Sequence, residues 1–190
     1  MQHPELSGTL IGPALPSDEA EIIAIYNQAV AERFLTADTE PVTVSSRGDW
    51  FAEHSAGSYP IFVDRRGTAL VGWCSLSPYR PGRQALRQVA EISYYVHHAW
   101  RGRGVGNGLV GHALRAAPSL GFRNLLAILL DTNTPSLGLL EKHGFARWGH
   151  LPSIANFDGI LCGQYVYGRA LELHDDTPPD APRVDSEHAR

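Results

Sequence analysis

Residues 89–111, VAEISYYVHHAWRGRGVGNGLVG, concentrate the side chains best suited to chemistry. One carboxylate, Glu91, interrupts the β-branched and aromatic run Val89–Val96, which reads as a strand. A charged group inside such a strand is seldom there for packing. Period-2 alternation sets Glu91, Ser93 and Tyr95 on one face and Ile92, Tyr94 and Val96 on the other. The strand leads into a glycine-rich basic turn, Arg101-Gly102-Arg103-Gly104-Val105-Gly106. Beyond it Val105, Leu109, Ala113 and Ala116 recur at near-helical spacing, so the turn feeds a helix. The first N–H groups of a helix lack intrahelical partners and carry the positive end of its dipole, which makes this junction an anion site. Glycines let the chain approach a bulky phosphate, and Arg101 and Arg103 add charge beside it.

Two familiar phosphate-binding spacings are excluded. G-x-x-x-x-G-K-[ST] is absent, and Gly102, Gly104, Gly106 and Gly108 alternate rather than follow G-x-G-x-x-G. The stretch resembles instead the coenzyme-A loop of the GNAT superfamily of N-acetyltransferases, [QR]-x-x-G-x-[GA], carried here by Arg101, Gly104 and Gly106. A later landmark of that superfamily, N-x-x-S-x-x-L-x-E-K-x-G-F, is present as Asn133, Ser136, Leu139, Glu141, Lys142, Gly144 and Phe145. Within the superfamily the chain is most similar to phosphinothricin N-acetyltransferase and its methionine sulfone/sulfoximine relatives. That narrower likeness rests on IYNQAV at residues 25–30, TEP at 39–41, and Tyr79, Arg80, Pro81 and Arg87 ahead of AEISYYV at 90–96.

The resemblance covers residues 9–172 and implies an α/β architecture, the mixed α+β sheet of the acyl-CoA N-acyltransferase (GNAT) fold, as one domain. It implies acetyl-CoA as cosubstrate, held by Tyr94, Tyr95, Val96, Arg101, Gly102, Arg103, Gly104, Val105, Gly106, Asn133 and Ser136. Asn133 would face the cofactor arm or reacting centre, and equally suits a turn residue preparing a helix cap. The implied acceptor is a small amino acid with a second anionic or strongly polar head. Its α-amino group, with a pKa near 8, is roughly nine-tenths protonated at pH 7, so a general base helps. Glu91 is the candidate base, acting through a water, five residues and roughly 16 Å of extended strand before Val96. The other reading is a structural carboxylate salt-bridged to Arg87. A strand N–H near Tyr94 or Tyr95 would stabilise the oxyanion.

The leaving thiolate is the departure from the family pattern. Where many relatives place a tyrosine, and the phosphinothricin enzymes a histidine, this chain has Leu140. Water or another hydroxyl such as Tyr95 then donates the proton, or the thiolate leaves unaided. Arg80 and Arg87 are candidate forks for the acceptor's acidic groups, or belong to a solvated basic loop. Phe34 and Trp73 are candidates for the apolar wall, or core residues. Direct transfer to another amine (an amino sugar, a polyamine, a protein N-terminus) and a non-catalytic CoA-binding module are the competing functions.

Composition bounds these readings. The 190 residues suit one domain, and the hydrophobic fraction of 43% and charged fraction of 19% suit a globular chain. A net charge of −4 argues against a general nucleic-acid binder, and no apolar run or signal-peptide core implies a membrane partner. Cys74 and Cys162 read as buried free thiols of a cytoplasmic protein. No metal site is expected, His97 and His98 lacking further ligands at suitable spacing. A homodimer is expected by family resemblance alone.

The positioning elements follow from periodicity and caps. A strand is expected at residues 9–14, then a helix capped by Ser17 with Ile22, Ile25, Tyr26 and Ala29 inward. Residues 34–44 read as a loop, and Ser46 as the cap of a second helix. A hairpin is expected over 59–64 and 68–76, followed by a polar basic link to Gln88. Asn124–Leu130 is apolar throughout, as for a doubly covered strand. Thr134 and Pro135 should open a last helix and Gly144 close it. Strands at 145–150 and 161–171 would close the sheet, between a loose lead-in at 1–8 and a disordered tail at 173–190.

Overall fold

Alternation along one central strand builds the two faces of the core. The computed structural model describes residues 10–54 and 56–172; the expected lead-in and tail lie outside them. In order they form β1 (Leu10–Pro13), α1 (Glu19–Glu32), α2 (Gly48–Glu53), β2 (Ile61–Arg66), β3 (Ala69–Pro78), β4 (Val89–Val96), α3 (Val105–Ala116), β5 (Asn124–Leu130), α4 (Thr134–Lys142), β6 (Ala146–Phe157) and β7 (Ile160–Ala170). On β3, Trp73 packs with Ile22, Ile25, Ile61 and Val63 beneath α1, while its neighbour Cys74 joins Ile92, Val105, Leu109, Leu125 and Leu140 beneath α3 and α4.

The seven strands run in the order β1-β2-β3-β4-β5-β7-β6, and β4 and β5 are the one parallel pair. That parallel ladder is short. Val89, Ala90 and Glu91 align with Asn124, Leu125 and Leu126, and the pairing stops there. β4 continues beside β3 to Val96, and β5 beside β7 to Leu130. The sheet therefore opens like a V from Glu91 onward.

Local details depart from the sequence reading where a tertiary partner outbids a local one. Ser17 does not cap α1. Asp18 holds that end, accepting from the Leu15 N–H at 2.7 Å and pairing with Arg65 from β2. Before α2, Thr43 and Ser46 bond each other's N–H groups at 3.0 and 3.1 Å. Asn133, not Thr134, caps α4, its side chain accepting from the Ser136 N–H at 3.3 Å. β6 runs past the expected His150 to Phe157, because an edge strand tolerates Pro152 where its register slips between Leu151 and Ala155.

Candidate active site

The opening of the sheet exposes one edge of β4. The His97 N–H donates to the Val71 carbonyl on β3 at 3.0 Å, whereas the Gln88 carbonyl accepts from Arg123 on the β5 side at 2.8 Å. Successive peptide groups of a strand point to opposite sides, so Ile92, Tyr94 and Val96 direct their N–H and C=O groups into the opening. Tyr95 directs its own towards β3. Of the two residues considered for an oxyanion donor, Tyr94 is thus the one whose N–H faces the gap.

A cavity of about 410 Å³ fills the wider end of the V. Tyr94, Tyr95, Val96, Arg101, Gly102, Gly104, Val105 and Gly106 line it, with Asn133 and Ser136 from the start of α4. The first backbone bond of α3 runs from the Gly108 N–H to the Gly104 carbonyl at 2.9 Å, which leaves the earlier amides for a ligand. Gly104 caps that helix at φ 82° and Gly102 precedes it at φ 71°, backbone that favours glycine. Two arginines behave differently here. Arg101 pairs with Glu32 at the end of α1 and donates to the Val96 carbonyl at 3.3 Å. Arg103 does not line the cavity; its guanidinium lies over Trp100.

A second cavity, of about 230 Å³, continues along β4 towards its start and carries Glu91. The two share Leu35, Tyr94, Tyr95, Asn133 and Ser136. Glu91 is half-buried and forms no ion pair among the described residues, so the salt bridge to Arg87 is not made. Burial pushes its carboxyl above the ordinary value. A third cavity of about 160 Å³ lies on the Glu91 face beneath α1, between Tyr26, Arg47, Trp50, Trp73, Ser75, Ser93 and Tyr95.

Tyr95 meets the ring of Tyr26 edge-on, 4.9 Å between centroids. The Tyr26 hydroxyl bonds Thr36 at 2.8 Å and donates to Asp38 at 2.6 Å. Asp38 in turn pairs with Arg47. Trp73 is a core residue that borders the third cavity, its indole N–H donating to the Ile22 carbonyl at 3.0 Å. Phe34 lies against Phe157, 4.8 Å between ring centroids, and Leu35 and Thr36 take the place in the cavity wall expected of it. Arg80 and Arg87 are exposed on the link between β3 and β4 and line none of these three cavities. Leu140 is fully buried at the floor of the Glu91 cavity. His97 and His98 stand just past β4 with rings 4.5 Å apart.

The model of the Acetyltransferase (GNAT) family matches residues 22–145, from α1 to the end of α4, spanning both the loop and the V. The chain belongs to the GNAT acetyltransferase family. YwnH of Bacillus subtilis (strain 168), whose name proposes it as a phosphinothricin acetyltransferase, is 46% identical over 156 residues, 81% of this chain and 94% of that one. An L-methionine sulfoximine/L-methionine sulfone acetyltransferase of Pseudomonas paraeruginosa is 30% identical over 168 residues, 87% and 94% of the two chains. The solved structure of yncA from Salmonella typhimurium with its cofactor acetyl-CoA superposes with a TM-score of 0.81 at 25% identity, covering 92% of this chain and 99% of that one. GNAT acetyltransferases use acetyl-CoA, and the cavity at the α3 junction has the amides and bordering charge that a pyrophosphate needs. No helix among the described residues is long and apolar enough to cross a membrane.

Sequence reasoning did not find every residue at this GNAT site. Leu35, Thr36 and Asp38 come from an aperiodic stretch and Arg47 from the start of the expected second helix, and nothing in their spacing announces a role. Tyr26 carried a signal, since it follows Ile22 by one turn on the inner side of α1.

Proposed function

We propose that the chain transfers acetyl from acetyl-CoA to the amine of a small amino-acid-like acceptor, of the phosphinothricin or methionine sulfone type, by direct attack. The observation that carries this reading is the junction of two cavities at the V, one on helix-terminal amides and the other on Glu91. Acetyl-CoA enters along β4 with its pyrophosphate on residues 101–106, and Asn133 and Ser136 border its arm. Glu91 takes the amine proton through a water; its raised pKa makes it a stronger base than an exposed carboxylate. The inward N–H of Tyr94 receives the developing oxyanion. Arg80, two residues past β3, and Arg87, two before β4, belong to the same end of the sheet as Glu91 and are assigned to the acceptor's carboxylate.

The same reading carries a homodimer and a cytoplasmic setting. Trp148, Ile154, Ile160 and Leu161 leave 53–60% of their surfaces exposed on the β6–β7 hairpin, as a subunit interface would use. Cys74 and Cys162 are free, buried thiols in separate clusters, consistent with a reducing compartment.

Thiol release from acetyl-CoA with an amine panel tests the proposal. Release that depends on L-methionine sulfone or phosphinothricin supports it. Release only with an amino sugar or a peptide N-terminus removes the acceptor class, and none with any amine removes catalysis.

A further inference from the structure

Leu140, fully buried at the floor of the Glu91 cavity, offers no proton donor on α4, yet a thiolate must depart from the junction of the two cavities. Three of the five residues shared by those cavities carry hydroxyls: Tyr94, Tyr95 and Ser136. Tyr95 sits on the Glu91 face, its ring packed against Tyr26 and Trp73. Tyr94 points the other way and spans the opening to α4. Its Oη donates to the Ser136 carbonyl at 3.4 Å. Ser136 and Leu140 are four residues apart and share one side of α4. We propose that Tyr94 is the acid that protonates the departing thiolate, reaching from β4 the place that Leu140 leaves apolar on α4. This rests on the acetyl-transfer reading above.

The bond to Ser136 is long for an O–H donor, so a thiolate displaces it readily. Burial pushes the phenol up to about 12, which keeps its proton in place throughout the neutral range. In the full step the amine nitrogen bonds to the acetyl carbon and its proton passes to Glu91. The carbon–sulfur bond breaks with its electron pair on sulfur, and the Tyr94 proton moves to that sulfur. Water reprotonates the phenolate and receives the proton held by Glu91, leaving an amide and a free thiol.

Tyr94→Phe keeps the ring and tests the hydroxyl alone, with Tyr95→Phe as the comparison. The expected result is a kcat at least tenfold lower for Tyr94→Phe, with the KM for acetyl-CoA within about twofold of the parent. Tyr95→Phe should lose less. The loss in Tyr94→Phe should also shrink when the donor is an aryl thioacetate, whose more acidic thiol leaves without a proton. Undiminished kcat with acetyl-CoA, equal losses with both donors, or a larger loss in Tyr95→Phe would overturn the assignment. If the parent enzyme releases no thiol with any amine, the failure belongs to the acetyl-transfer reading and takes this role with it.

Discussion

Glu91 and Leu126 are the last aligned pair between β4 and β5, and the sheet divides immediately beyond them. The carboxylate therefore stands at the apex of the V, with the larger cavity at the α3 junction further along the same strand. Placement at the apex explains its burial, and burial explains its raised pKa.

Glu91→Gln should lower kcat by a factor on the order of 10²–10³ while leaving CoA affinity intact. A base works deprotonated, so activity falls as pH drops through the raised pKa. In the kcat profile the acid limb set by Glu91 should lie above the ordinary carboxylate range and vanish in the variant, while the acceptor amine's own titration stays in kcat/KM for both. Stability follows the same sign. The folded chain holds this proton more tightly than the unfolded one, so the associated stability is full below the unfolded pKa and lost as pH rises through the folded one. Urea melts should show Glu91→Gln gaining on the parent as pH rises above the ordinary carboxylate range.

Gly104→Ala puts a side chain at φ 82°, where an L-residue costs about 1 kcal/mol. The melting temperature should fall by about 2–4 °C for a chain of this size. The KM for acetyl-CoA should rise several-fold and that for the acceptor stay put if the displaced amides hold the pyrophosphate as proposed.

Arg87→Glu separates recognition from scaffolding. The side chain is exposed, so denaturation should shift by no more than about 0.5 kcal/mol. A rise in the acceptor KM far beyond any change for acetyl-CoA would place the arginine at the acceptor; parallel changes in both would leave it structural.

Ser75 is 1% exposed, borders the third cavity opposite Ser93, and its hydroxyl has no hydrogen-bond partner among the described residues. An unpaired buried hydroxyl costs stability, so Ser75→Ala should hold or gain up to about 1 kcal/mol in chemical denaturation. If that hydroxyl serves the acceptor, the acceptor KM should rise about fivefold, as for one neutral hydrogen bond.

Periodicity and turn chemistry were enough for the order of elements, the glycine turn before α3, and the alternation that places Glu91, Ser93 and Tyr95 together. These are properties of neighbours in sequence, set by the two-residue repeat of a strand and the free amides of a helix start. The motif residues Arg101, Gly104 and Gly106 were legible for the same reason. Tertiary structure decided the rest. Where β4 and β5 part depends on pairing between segments more than thirty residues apart, and that parting turns the Tyr94 amide inward and leaves Glu91 without a counter-ion among the described residues. It also brings Leu35 and Thr36 to the cavity while Phe34 packs on Phe157, a choice made by the β6–β7 hairpin rather than by any local preference.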